Sequence, residues 1–375
     1  MRIAIVGCGF VADLYMLTLP LHPELELVGV MDRNPERARR FSETWGSRIY
    51  ASFEELLDDR SVELVLNLTN PTSHYEVSRA CLLAGKHVYS EKPLASKLEE
   101  AEALVELAEE RGLYLSGAPS RLLGDTAQTM WKALRENAIG QPLLAYAEMD
   151  DGLVHRMAYK KWISRSGAPW PYIDEFQTGC TVEHAGYCLT WLAAFFGPAE
   201  SVGGFSAVAV RDKKLDEPLA IDAPDFSVAC IRFASGMIAR MTNSIVAPED
   251  HSIRIFGEDG VLSVEDCWKP AQPVHLKKRI QIAGRSVLPP VALRAKPVRD
   301  PYLPKPAKPL KKVDYCLGPV ELVNAVRDRR PSRLSARFCL HITELTLATH
   351  ESIDAGRNVV IKSRFDPIAP MPWAV

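Results

Sequence analysis

The stretch "RIAIVGCGFVADLY", residues 2–15, decides the fold of this chain. Ile3, Ile5 and Val6 make a short apolar run rich in β-branched residues, the composition of a buried strand. The run ends at Gly7-Cys8-Gly9-Phe10-Val11-Ala12, and a helical pattern of Ala12, Leu14 and Tyr15 follows. This is a G-x-G-x-x-A turn between strand and helix. Gly7 permits the tight turn, and Gly9 lets the backbone approach a pyrophosphate. Ala12 allows close helix–strand contact, and the helix N-terminus faces the phosphate charge. The next apolar run, "LELVGVM", ends at Asp32, 23 residues after Gly9. An acid there is placed to accept the adenosine ribose hydroxyls, which points to NAD. Arg33 beside it is able to hold a 2′-phosphate, so NADP stays open.

Outward from that turn the βαβ rhythm continues. Helical patterns near 35–46, 52–59, 74–84 and 97–111 alternate with strand-like "VELVLNLT", "HVYSEKP" and "LYLSGA". Alternation of this kind predicts a doubly wound parallel sheet whose ligands sit beyond the strand C-termini. Asn67, Thr69, Asn70, His74, Glu91 and Lys92 fall at or just past such ends, on the side expected to hold the cofactor. Pro93 restricts Lys92 to extended backbone and invites a cis bond. A lysine in a partly desolvated cleft is suited to proton transfer.

Farther on, Val182, Ala185, Leu189, Leu192 and Phe196 form one apolar stripe of a helix spanning roughly 179–197. Glu183, Tyr187 and Thr190 fall on the opposite side, and His184 lies on the flank. Strand-like runs from 200 to 266, joined by Gly- and Asp-containing turns, read as an antiparallel sheet. Residues 269–312 carry twelve Lys/Arg against one acid, with seven prolines between 289 and 309. That composition reads as an extended basic arm: a crossing loop, a subunit clasp or an electropositive rim for an anionic substrate.

The 375-residue length favours two domains, and 47% hydrophobic residues supply ample core material. A formal net charge of −2 argues against a nucleic-acid or membrane-surface binder. Eight scattered cysteines, without metal-ligand spacing to histidine, read as buried thiols in the cytoplasm, and no metal site is expected. No apolar run reaches the roughly 18 residues of a membrane span, and no secretory signal is read.

With "IAIVGCGFVA", "AGKHVYSEKPLA", "IGQP" at 139–142, the 179–197 helix and the tail "HITELTLATHESIDAGRNVVI", the chain resembles the Gfo/Idh/MocA oxidoreductases over nearly its whole length. The resemblance implies a Rossmann domain, placed at 1–121, and an α+β substrate and oligomerisation domain at 122–375 with an open, mostly antiparallel sheet. It implies hydride transfer between a nicotinamide and a secondary alcohol or ketone on a sugar, cyclitol or related polyhydroxylated ring. The family's G-x-x-x-D-x-G-x-H helix motif maps onto Gly179, Glu183, Ala185 and Tyr187, with Glu for Asp and Tyr for His. Lys92 and Tyr187 are then expected to share the substrate proton, with Glu183 binding a neighbouring hydroxyl and His184 behind them. Arg121 is expected on the nicotinamide side, although "APS" ahead of it departs from the family pattern. The aromatic and basic segment 151–178, with Trp162, reads as a substrate loop. A homodimer or homotetramer is expected. Two alternatives stand beside this reading: a non-catalytic dinucleotide-binding regulator, and a biosynthetic keto- or imine reductase acting on a nucleotide-linked or other anionic substrate.

Overall fold

The computed structural model describes residues 1–217, 221–301 and 313–375. It divides into two compact units: residues 1–120, 158–175 and 314–344 in the first, and 121–157, 176–313 and 345–375 in the second. The domains expected at 1–121 and 122–375 are consecutive stretches of chain. In space, two later segments, 158–175 and 314–344, join the N-terminal part.

In the first unit, β1 (Arg2–Val6), β2 (Glu26–Met31), β3 (Leu64–Asn67), β4 (His87–Ser90) and β5 (Leu115–Gly117) form a five-stranded sheet. Its order is β2-β1-β3-β4-β5, with every pairing parallel. Val6 pairs with Met31 and Asn67, Asn67 with Ser90, and Ser90 with Gly117, so all five strands stop along one edge. Gly7, Asp32, Thr69 and Glu91 therefore leave the sheet together. The apolar runs are buried from both faces, as a parallel sheet between helices requires. Ile3, Ile5, Leu64, Leu66 and Tyr89 pack with Tyr15 and Phe41, and Cys316 and Leu322 from the 314–344 segment close the same core.

The second unit carries a nine-stranded sheet. Its strands are β6 (Pro142–Asp150), β7 (Ala199–Ala207), β8 (Phe226–Phe233), β9 (Ile238–Ser244), β10 (Ile253–Gly257), β11 (Gly260–Val264), β12 (His275–Lys278), β15 (Leu293–Arg294) and β16 (Val359–Val360). A separate hairpin pairs β13 (Ile280–Ile282) with β14 (Arg285–Val287). The order β15-β12-β11-β10-β6-β9-β8-β7-β16 is antiparallel except at β6–β9. Part of the stretch read as an extended arm is thus sheet: 275–278 pairs with β11, 293–294 forms the edge strand beside it, and 280–287 turn back on themselves. Residues 302–312 of that stretch lie outside the described residues.

The helix Cys180–Phe196 packs on β6, β8 and β9. The expected polar face is not open. Glu183 is 8% and Thr190 2% exposed, and Val182, Tyr187 and Phe195 alone along the helix are half-buried. The helix Asp125–Arg135 and the turn Arg121–Leu123 lie against it as well, so burial extends well beyond the apolar stripe. All eight cysteines are free thiols and seven are buried, Cys230 being exposed. Among the described residues no helix is long and apolar enough to cross a membrane.

Candidate functional site

The nucleotide half of the site begins at Gly7, whose φ of +97° no L side chain adopts cheaply. A Cβ there would stand 2.6 Å from the Leu68 carbonyl oxygen. A Cβ on Gly9 would meet no described atom within 4 Å. The helix Phe10–Thr18 starts directly after it with no side-chain cap, leaving its first backbone N–H groups to an anion. Phe10 and Val11 are half-buried in the first turn, and Ala12 is fully buried. Asp32 is held for recognition: its carboxylate accepts from the Cys8 N–H at 2.8 Å and the Asn34 N–H at 2.8 Å, with Arg37 3.6 Å away. Arg33 is exposed. Open room over Gly9 beside an oriented carboxylate fits a dinucleotide.

Behind this loop Asp13 gathers four donors. They are Trp45 Nε1 at 2.7 Å, Ser164 Oγ at 2.6 Å, and Ser166 N and Oγ at 3.1 and 2.5 Å. The segment carrying Trp162 is thereby fastened to the first helix, with Trp162 half-buried against Trp170. Thr69 Oγ1 donates to Asn67 Oδ1, and Asn70 donates to Asp174.

His74 is fully buried, its Nδ1 2.6 Å from the Pro93 carbonyl and its Nε2 2.9 Å from the Thr69 carbonyl. Each ring nitrogen faces a backbone carbonyl, and the single N–H of the neutral ring donates to one of them, so His74 ties the ends of β3 and β4 together. Burial pushes its pKa down. Glu91 accepts from the Tyr15 hydroxyl at 2.8 Å and from the Lys92 N–H at 3.2 Å. Burial, with Glu91 beside it, holds the Tyr15 phenol well above its usual range, so it remains a donor. The Lys92–Pro93 bond is cis, and the Lys92 side chain is half-buried.

The second unit assembles a different cluster around Tyr187. The Trp268 ring lies 4.4 Å from Tyr187, 5.2 Å from His251 and 6.3 Å from His184, centroid to centroid. Arg121 lies in this unit, its guanidinium 4.6 Å from the Trp268 ring and 5.3 Å from that of Tyr187. Beneath the aromatics, Asp151 takes His184 Nδ1 and His251 Nε2, each at 2.7 Å. Burial opposes the Asp151 charge, yet the two histidines hold its pKa well below the usual carboxylate range. Burial likewise opposes the charge on His251, but Asp151 and Asp266 raise its pKa to about 10. His184, placed on the helix flank from periodicity, is buried with its Nδ1 2.7 Å from the Asp151 carboxylate in this cluster. Glu183 is buried on the same helix.

Asp13, Asp151, His251, Asp266 and Trp268 carry no signal in the sequence. Their partners are distant in the chain, and no local pattern marks them. Tyr15 differs in kind: the helical pattern after the glycine turn marks its place, but not its bond to Glu91.

Comparison with known proteins places this geometry in a family context. A family model described as "Oxidoreductase family, NAD-binding Rossmann fold" matches residues 1–118, and one described as "GFO/IDH/MocA C-terminal domain" matches 127–263. Among curated proteins, the chain is 26% identical over 280 residues to trans-1,2-dihydrobenzene-1,2-diol dehydrogenase of Oryctolagus cuniculus, covering 73% of this chain and 79% of that one. An NAD binding oxidoreductase of Klebsiella pneumoniae superposes with a TM-score of 0.79 at 18% identity, over 97% of this chain and 99% of that one. A levoglucosan dehydrogenase in complex with NADH and L-sorbose gives 0.77 at 18% identity, over the same shares.

Proposed function

Because the chain belongs to the Gfo/Idh/MocA family of NAD-binding oxidoreductases, we propose that it interconverts a secondary alcohol and a ketone on a six-membered ring carrying neighbouring hydroxyls. The dinucleotide, when bound, supplies the redox chemistry. Gly7, Gly9, the first turn Phe10–Ala12 and Asp32 are the residues suited to hold it. Asp32 favours NAD, because its carboxylate would repel a 2′-phosphate.

One observation carries the reading most. The Glu91-Lys92-Pro93 turn is immobilised from three sides, by Tyr15 on Glu91, by His74 on the Pro93 carbonyl and by Thr343 Oγ1 on the Leu94 N–H. A lysine on so fixed a backbone, at the edge where strand ends meet a ligand, is suited to hold and release a substrate proton at Nζ. Tyr187 is proposed to share that proton through its hydroxyl, and Glu183 to orient a neighbouring hydroxyl. The aromatic pair Tyr187–Trp268 supports a substrate ring with one apolar face, and the names of the relatives, a cyclic diol dehydrogenase and a dehydrogenase of an anhydrosugar, agree with that class. A homo-oligomer and a cytoplasmic setting belong to the same proposal.

The test is cofactor reduction, followed by absorbance with NAD and with NADP, across cyclic trans-diols, cyclitols, pyranoses and anhydrosugars. Turnover is expected with cyclic vicinal diols or sugars, and with NAD in preference. Turnover confined to acyclic or nucleotide-linked compounds would overturn the substrate class.

A further inference from the structure

Below Trp268, three side chains converge that the proposed chemistry does not use. Glu249, His251 and Asp266 bring one ligand atom each within 4.8 Å of one another. His251 is 8% exposed, and its Nδ1 makes no hydrogen bond. The nearest ionic partner of Nδ1 is Asp266 Oδ1 at 3.6 Å. That is too long for a hydrogen bond. It is close to the roughly 3.4 Å that separates two ligand atoms bound to one tetrahedral ion at ~2.0–2.2 Å. The other ring nitrogen, Nε2, is held by Asp151 at 2.7 Å. Metal-bound histidines are oriented in this way, with a carboxylate on the far nitrogen. A cation already stands between the two outer carboxylates: Lys269 Nζ is 2.7 Å from Asp266 Oδ2 and 3.2 Å from Glu249 Oε1. Its side chain is 59% exposed, so it is able to swing out.

We propose that Glu249, His251 and Asp266 form a divalent-cation site, suited to Mn²⁺ or Zn²⁺, that exchanges with the Lys269 ammonium. One imidazole and two carboxylates are the donor set those ions accept. In the exchange the divalent ion takes the ammonium's place between the two carboxylates, and the Lys269 side chain moves out to solvent. Asp266 Oδ1 also accepts from the Trp268 N–H at 2.8 Å and the Lys269 N–H at 2.9 Å. An ion on Asp266 therefore stiffens the turn that carries Trp268 against Tyr187. The site itself stands independently of the substrate proposed above.

The experiment is titration of the full chain with Mn²⁺, counting free ion by electron paramagnetic resonance. Mn²⁺ is chosen because the eight thiols compete for Zn²⁺ far more than for an oxygen-seeking ion. One saturable site per chain is expected. Glu249→Gln should weaken it about 10-fold or more, and Asp151→Asn by roughly 10–100-fold through loss of the orienting carboxylate. Lys269→Met should tighten it, because it removes the competing ammonium. A purely structural ion-pair cluster predicts no such gain. Glu249 and Lys269 are both exposed, so these variants keep the fold, which a thermal melt verifies. No saturable binding in wild type and Lys269→Met, or binding indifferent to both exposed substitutions, would overturn the site.

Discussion

Lys92 and Tyr187 are the residues on which the proposed chemistry rests, and each sits on a framework that does not depend on its own side chain. The backbone at Lys92 is positioned by Tyr15, His74 and Thr343, so Lys92→Ala removes the amine and leaves the turn. It should lower kcat by about 10²–10⁴-fold while the NAD dissociation constant stays within a few-fold of wild type. Tyr187→Phe retains the ring against Trp268 and deletes only the hydroxyl, so its loss should also fall on kcat. Stopped-flow turnover together with cofactor titration separates the two effects. A Lys92→Ala enzyme that lost NAD binding and kept its turnover number would refute the assigned role. His184 tells the opposite story. Helical periodicity puts it on a flank behind Glu183 and Tyr187, whereas it is buried on Asp151. Residues 151 and 184 have no relation that a local pattern encodes.

The glycine turn shows two glycines doing different work within one element. Gly7 is required by its positive φ and by the Leu68 carbonyl that a Cβ would strike, so Gly7→Ala should destabilise the fold by about 1–2 kcal/mol or more. Gly9 has open space above it, so Gly9→Ala should melt near the wild-type temperature and bind NAD at least 10-fold more weakly. Thermal unfolding and NAD titration of the two variants check this, and unimpaired NAD binding by Gly9→Ala would remove the pyrophosphate from that spot. The helix Cys180–Phe196 is the element least legible in the sequence. Its apolar stripe is real, but Glu183, His184 and Thr190 are buried too, because the sheet and a neighbouring helix enclose it together. Hydropathy periodicity reports one covering surface and is blind to a second made of other parts of the chain.

At the scale of the whole molecule, the nine-stranded sheet leaves an apolar surface open. Along β8, Ser227, Ala229, Ile231 and Phe233 are buried, while Phe226 and Val228 are half-buried and Cys230 is exposed. Phe205, paired with Val228, is 62% exposed and Ile238, paired with Arg232, is 41% exposed. Apolar residues in both registers of "SVACIRFA" predict burial on two sides, and a single chain supplies one. The chain should therefore sediment as a homo-oligomer, and Phe205→Glu should shift it toward monomer. Wild type running as a monomer of 41.6 kDa at micromolar concentration would contradict this.

The parallel sheet of the first unit, its strand ends, the glycine turn with Asp32 and the mostly antiparallel sheet of the second are all legible along the chain. These are short-range properties: β-branched runs, glycine at a positive φ and helical spacing are all written within a dozen or so neighbouring residues. Which side chains face one another emerges only from the folded chain. Asp13 meets Ser164 and Ser166, His74 meets Pro93, and residues 121, 151, 184, 187, 251, 266 and 268 converge on one cluster. Such contacts depend on the order in which strands are laid into a sheet and on which loops return to it, and long-range pairing of that kind leaves no period in the chain.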